Sequence, residues 1–338
     1  MFGAVLYGKD DVRYEEREDP KVLEPTDAVV RTVAACVCGS DLWRYRGINE
    51  IEGPTPFGHE YVGVVEEVGE AVTGVKPGQF VVGGFTTSDN TCAVCEAGMS
   101  SQCENKTGYD GCQAEKIRVQ NADGTLIGLD REPDEDLIPA LLALSDVMCT
   151  GWHAAVSAGV KEGSTVAVIG DGAVGLCAVL AAKQLGASMI VAMSRYPDRQ
   201  AVARQFGATH VVEERGEAGI EAVRELTGGL GVDCVLECVG THEAVEQGLE
   251  TARPGGMVGW VGVPHVGEID QAHMFWRNVG LRGGVAPVRT YLEDLLARVL
   301  DRTLDPGPVF DLTLPLKDVA EAYKAMDERR AIKVMLRP

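Results

Sequence analysis

The sequence has no surplus of positive charge: 31 Lys and Arg stand against 51 Asp and Glu, a formal net charge of −20. Nucleic acid and anionic membrane surfaces are therefore poor partners. No run of roughly 18 apolar residues occurs, so no membrane-spanning helix is expected. The first residues, Met1-Phe-Gly-Ala-Val-Leu-Tyr-Gly-Lys-Asp-Asp11, lack a basic segment followed by an apolar one. No secretory leader is expected, and the expected compartment is the cytoplasm. Internal repeats and low-complexity tracts are also missing. Disulfide frameworks belong to short secreted chains, so the ten cysteines of this long chain point to metal binding and buried thiols.

What is present begins with size. At 338 residues, 45% hydrophobic and 24% charged, the chain can build two globular domains, each with its own core. The most informative stretch is Val166–Ile169, an apolar run that reads as a buried strand. It breaks at Gly170-Asp-Gly172-Ala-Val-Gly175 and continues as an Ala- and Leu-rich helix. A G-x-G-x-x-G between strand and helix is a dinucleotide-binding fingerprint. Gly170 allows the tight turn, Gly172 lets a pyrophosphate approach, and Gly175 lets helix and strand pack closely. The N–H groups at the helix start, around Ala173 and Val174, would hold the phosphates.

Residues 2–7, 27–37, 60–68 and 80–82 read as strands with turn signals between them, a β-rich first region. Residues 83–115 hold four cysteines with little periodicity, and so long an irregular segment needs a staple. From Leu137 the pattern turns helical. Strands are then expected at 166–169, 189–193, 210–212, 233–238, 257–263 and 279–283. Helices are expected between them at 173–185, 197–206, 217–227 and 242–251. This alternation implies an α/β fold with a parallel, doubly wound sheet. Helices at 290–302 and 317–329 and a strand at 334–336 lie beyond the sixth strand and are free to rejoin the first region.

Cys38-Gly-Ser-Asp41, Gly58-His-Glu60 and Asp146 before Thr150-Gly151 carry residue types that bind zinc. Three protein ligands with an open fourth position describe a catalytic zinc site. Taken singly, His59 reads as a loop histidine and Cys38 as a buried thiol.

Gly58-His-Glu-Tyr-Val-Gly63, with Gly69 and Val72, resembles the zinc signature of the medium-chain alcohol dehydrogenases. The resemblance extends over nearly the whole chain, through Cys38-Gly-Ser-Asp41, the cysteine lobe, Thr150-Gly151, the glycine fingerprint, and Gly255-Gly256 before Val261-Gly-Val-Pro264. It implies a Rossmann domain and a β-rich GroES-like catalytic domain, with the active site in the cleft between them. The implied divisions are 1–148 for the catalytic domain with a lobe at about 85–112, 149–285 for the nucleotide domain, and 286–338 for a returning segment. It implies a catalytic zinc held by Cys38, His59 and Asp146, with Glu60 as an exchanging ligand and Cys149 as the rival to Asp146. The family's second zinc lobe has four cysteines; here Asp89 precedes Cys92, Cys95 and Cys103. Asp89 is a competent substitute, and the alternatives are Cys112 as fourth ligand or a lobe without metal. Ser40 matches the hydroxyl that carries the substrate's proton, while Trp43 stands where the family often has the next histidine of the relay. Thr150, Val239, Val261 and Val263 match cofactor-contacting positions, and Lys333 is placed to reach the pyrophosphate.

In NAD-selective folds an acidic residue about 20 positions past the glycines binds the ribose 2′-hydroxyl. Here that position is Ser194, followed by Arg195, with Arg199 as a second cation. A hydroxyl beside a guanidinium suits a 2′-phosphate, which favours NADP over NAD; otherwise Arg195 is only a surface cation. The expectation is a zinc-dependent alcohol dehydrogenase or carbonyl reductase, a homodimer or homotetramer with a small-molecule alcohol, aldehyde or ketone substrate. Its rivals are a zinc-independent enone or quinone reductase of the same superfamily and a non-enzymatic NADP(H)-binding sensor.

Overall fold

The computed structural model describes residues 1–109, 111–265 and 267–338. Two compact units form, Met1–Cys149 with Pro287–Pro338, and Thr150–Ala286.

The first unit is β-rich. Strand Phe2–Gly8 pairs with Asp11–Glu16 on one side and Thr55–Pro56 on the other. A second sheet runs in the order Leu312–Pro315, Val334–Arg337, Ala28–Cys36, Tyr61–Val68, Phe80–Gly83 and Leu126–Gly128, with Lys116–Val119 also pairing onto Ala28–Cys36. Its long strands bury Val and Ala, and Ala28, Val30, Tyr61, Val65 and Val81 form one apolar cluster. The C-terminal segment contributes Leu316, Val319, Tyr323 and Val334 to another, with Leu6, Val37 and Phe57. Among its described residues, the irregular stretch after Gly83 forms a one-turn helix, Ala93–Glu96, and the 3-10 turn Ser100–Gln102. The expected helix after Leu137 is two helices, Ile138–Ala143 and Val147–Ala158, broken at 144–146. Among the described residues no single helix is long and apolar enough to cross a membrane.

The second unit is a six-stranded, all-parallel sheet in the order His210–Val212, Met189–Met193, Thr165–Ile169, Val232–Glu237, Ala252–Trp260 and Gly280–Gly283. Numbered along the chain this is 3-2-1-4-5-6, the dinucleotide-binding order, whose ligands sit at the strands' carboxyl ends. The strand expected at 257–263 ends instead at Trp260. Beyond it the N–H groups of Val261 and Gly262 both turn to the Glu237 carbonyl, at 3.0 and 3.2 Å, which closes the ladder. An unexpected helix, Gln271–Arg277, precedes the last strand and is capped by the Asp270 carboxylate accepting from the His273 N–H.

Candidate metal centres and nucleotide cradle

Strand Ala28–Cys36 delivers Cys38 to the turn that starts the short helix Asp41–Tyr45. Antiparallel pairing, with Ala35 opposite Tyr61, brings His59 and Glu60 alongside. Asp146 comes from the helix break, where the Ser145 hydroxyl donates back to the Leu142 carbonyl at 2.7 Å. One ligand atom from each of Cys38, His59, Glu60 and Asp146 lies within 4.8 Å of all the others. Cys38 Sγ and His59 Nε2 are each 3.4 Å from Asp146 Oδ2. Tetrahedral N, O and S ligands of zinc sit roughly 3.3–3.6 Å apart, from their usual bond lengths. The residues therefore fit the ion. Cys149 lies outside this group, its buried thiol donating to the Leu144 carbonyl at 3.1 Å.

The electrostatics agree with that fit. Burial, then Asp146 and Glu60, push the Cys38 thiol up to about 11. Burial opposes charge on His59, but Asp41, Cys38 and Asp146 outweigh it and hold its pKa well above the ordinary value. A dication offsets such a gathering of anionic donors. Glu60 is fully buried, and its Oε2 has no hydrogen-bond partner, a further oxygen available to a cation. The half-buried Ser40 donates its hydroxyl to Cys38 Sγ at 3.2 Å.

Lys333 departs from expectation. Its ammonium donates to Glu60 Oε1 at 2.7 Å and to the Val37 carbonyl at 3.1 Å, with the residue only 1% exposed. A buried ammonium needs a buried counter-charge, and this one is committed to Glu60 rather than open to a pyrophosphate.

Asp89, Cys92, Cys95 and Cys103 form a second cluster with the same mutual reach. Cys92 and Cys103 Sγ atoms are 3.9 Å apart, close to the roughly 3.8 Å between two thiolates on one zinc. Asp89 accepts N–H groups from Thr91 and Cys92 and the Asn105 amide at 2.6 Å, and these hold its carboxyl well below the usual range. Cys112 is packed in the apolar cluster with Tyr61 and Val119 and is not part of the group.

In the second unit Gly170, Gly172, Ala173, Val174 and Gly175 make the turn from strand Thr165–Ile169 into helix Ala173–Gln184. Gly170 has φ +114°, and a Cβ on Gly175 would lie 1.9 Å from the Gly170 carbonyl oxygen. A Cβ on Gly172 would meet nothing within 4 Å, so the turn has open space where a phosphate would approach. Ser194 and Arg195 follow strand Met189–Met193, Val239 follows Val232–Glu237, and Val261 and Val263 follow Ala252–Trp260, all at carboxyl ends. These features fit a dinucleotide. Thr150 is buried in helix Val147–Ala158.

Sequence comparison places this arrangement among known proteins. The alcohol dehydrogenase GroES-like domain family matches residues 24–128, and the zinc-binding dehydrogenase family matches residues 173–300. Zinc-type alcohol dehydrogenase B of Aspergillus flavus is 34% identical over all of this chain and 81% of its own. L-threonine 3-dehydrogenase of Bacillus subtilis is 32% identical, over 100% and 96%. The solved structure of alcohol dehydrogenase TADH from Thermus sp. ATN1 superposes with TM-score 0.90 at 33% identity, over 100% and 99%. The chain belongs to the zinc-type alcohol dehydrogenase family.

Within this zinc-type dehydrogenase two residues went without a role in the sequence. Asp41 Oδ1 lies 3.5 Å from His59 Nδ1, while its Oδ2 accepts from the Cys38 N–H, Gln113 and Tyr323. Its signal was an acid directly after Cys-Gly-Ser. Asp171, inside the glycine fingerprint, accepts from the Ser194 hydroxyl at 2.9 Å and from Arg199 at 3.1 Å. Arg199 is thus not a free second cation: Asp171 neutralises it. The signal was a carboxylate where phosphates are expected.

Proposed function

We propose that the chain is a zinc-dependent dehydrogenase that interconverts a small alcohol and its aldehyde or ketone, preferring NADP(H) to NAD(H). The observation that carries this reading is the convergence of Cys38, His59 and Asp146, with Glu60 beside them, at the donor spacings of a tetrahedral zinc. When bound, zinc supplies a Lewis acid for the substrate oxygen, and the dinucleotide supplies the hydride acceptor or donor.

The chain's own side chains bind, orient and move the proton. Cys38 and Asp146 bring two negative charges to balance the dication. His59 is held from both sides of its ring, by Asp41 and by Asp146. Ser40 takes the proton from the substrate hydroxyl and returns it in the reverse direction. Trp43 has no titratable group, so the proton leaves Ser40 for water or another acceptor. Preference for NADP is supported by Ser194 in place of a carboxylate. It is supported also by Arg195, exposed and without an ion-pair or hydrogen-bond partner among the described residues.

The test is zinc per chain by mass spectrometry, joined to turnover of an alcohol panel with NADP⁺ and a carbonyl panel with NADPH. Zinc-dependent turnover, lost in Cys38→Ser, is the expected result. Folded protein that neither contains nor takes up zinc would sink the reading.

A further inference from the structure

The glycine turn carries its own anion. Asp171 is 8% exposed and lies between Gly170 and Gly172, the residues that shape the phosphate approach. Its Oδ2 accepts from Ser194 Oγ, and its Oδ1 accepts from Arg199 Nη1. The Arg199–Asp171 pair is well covered, with side chains 12% and 9% exposed, and the guanidinium also lies over the Tyr196 ring at 5.3 Å. Ser194 is itself only 1% exposed, and its hydroxyl proton is committed to Asp171. Two of the three groups that would receive a 2′-phosphate, Ser194 and Arg199, are therefore already bound to a carboxylate. Arg195 alone stands free of it.

We propose that Asp171 is the residue that sets how strongly this protein discriminates for or against a 2′-phosphate, by holding Ser194 and Arg199 and repelling the phosphate that would take its place. The inference rests on the reading that the adenosine ribose binds at Ser194–Arg195, and it deepens that reading. A ribose hydroxyl carries no charge and is unaffected by the repulsion. A phosphate within hydrogen-bond distance of Ser194 and Arg199 faces the Asp171 carboxylate at short range, where the covered pair is poorly screened. Discrimination against the wrong partner by a built-in like charge is a recognised device for specificity. Asp171 acts through its two partners and is a positioning residue.

The experiment compares two fragments that need neither zinc nor turnover, 2′,5′-ADP and 5′-AMP, by isothermal titration calorimetry on the full chain. Asp171→Asn keeps an acceptor for Ser194 or Arg199 and removes the charge. It is expected to tighten 2′,5′-ADP binding about tenfold while 5′-AMP changes less than about threefold. Arg199→Gln alone is expected to change 2′,5′-ADP binding less than about threefold, because Asp171 already neutralises that cation. Made in the Asp171→Asn background, it should erase the gain, a coupling that a purely structural role for Asp171 would not produce. Unchanged or weaker 2′,5′-ADP binding by folded Asp171→Asn overturns the proposal. So does a large loss of 5′-AMP binding, which would make Asp171 the ribose anchor. Wild-type protein that binds 5′-AMP more tightly than 2′,5′-ADP would defeat the NADP preference alone. The Asp171 proposal would still be decided by the change on substitution.

Discussion

Lys333 and Glu60, 273 positions apart in sequence, meet at 2.7 Å with both side chains closed to solvent. The pair ties the C-terminal strand Val334–Arg337 to the segment that carries His59. Burial pushes the Glu60 carboxyl's pKa up, and the Lys333 ammonium beside it works against that rise. Removing one partner leaves the other charge buried and alone. Lys333→Met is expected to cost about 3–5 kcal/mol of unfolding free energy, whereas Lys333→Met with Glu60→Gln should recover most of it. Urea unfolding of chelator-treated protein measures both. Equal losses in the single and double variants would mean the two charges are not coupled.

Asp41 makes a second, separable prediction. A metal-ligating histidine is oriented by whatever its other ring nitrogen meets, and here that is the Asp41 carboxylate. Asp41→Asn is expected to lower zinc affinity about 10- to 100-fold while leaving the four ligands in place. Competition with a chromophoric chelator reads this directly. Unaltered zinc affinity would show that the ring is held by packing, including its edge contact with Phe85, and not by the carboxylate.

Which of these features could be read from the sequence follows from physical range. The second unit's strands are continuous apolar runs because helices cover both faces, so Val166–Ile169 and Met189–Met193 announce themselves. Cys38, His59 and Asp146 are zinc-competent residue types far apart in sequence, and it is the resemblance to the family's zinc signature, not their spacing, that groups them. Asp11–Glu16, Lys116–Val119 and Leu312–Pro315 do not stand out. They are short, partly exposed and charged or proline-bearing, and only pairing with distant strands makes them strands. The role of Lys333 is not legible because the sequence displays its charge but not its burial against Glu60. Asp171 escaped for a related reason: its grip on Ser194 and Arg199 joins side chains 23 and 28 positions away.

His153, a member of neither candidate metal cluster, gives a pH test. It is buried in helix Val147–Ala158, and burial, with Arg282, holds its pKa below the ordinary value. The folded protein therefore binds this proton less readily than the unfolded chain. The neutral ring's contribution is complete above the unfolded pKa of about 6.5 and is lost as pH falls towards the lower folded value. Thermal melts at pH 7.5 and 5.5 should show a smaller drop in Tm for His153→Gln than for wild type. Equal drops would mean that His153 accepts its proton in the fold at no cost.

The cysteine lobe bears on whether a carboxylate can complete a site that three cysteines begin. Asp89 does two things at once in the structure: it caps the turn through Thr91 and Cys92 N–H groups, and it presents an oxygen to the cluster. Capping alone requires only an acceptor, so Asp89→Asn would preserve it, whereas metal binding requires the negative charge or a thiolate. If the lobe holds zinc, Asp89→Asn should bring zinc from two per chain towards one and lower Tm by about 5 °C or more, since structural zinc binding is coupled to folding. Asp89→Cys should retain the second zinc, because a thiolate is at least as good a ligand there. Mass-spectrometric zinc counts on the three proteins decide it. One zinc per chain in all three, with Tm unchanged in Asp89→Asn, would make Asp89 a turn cap and the three cysteines a packed cluster of thiols.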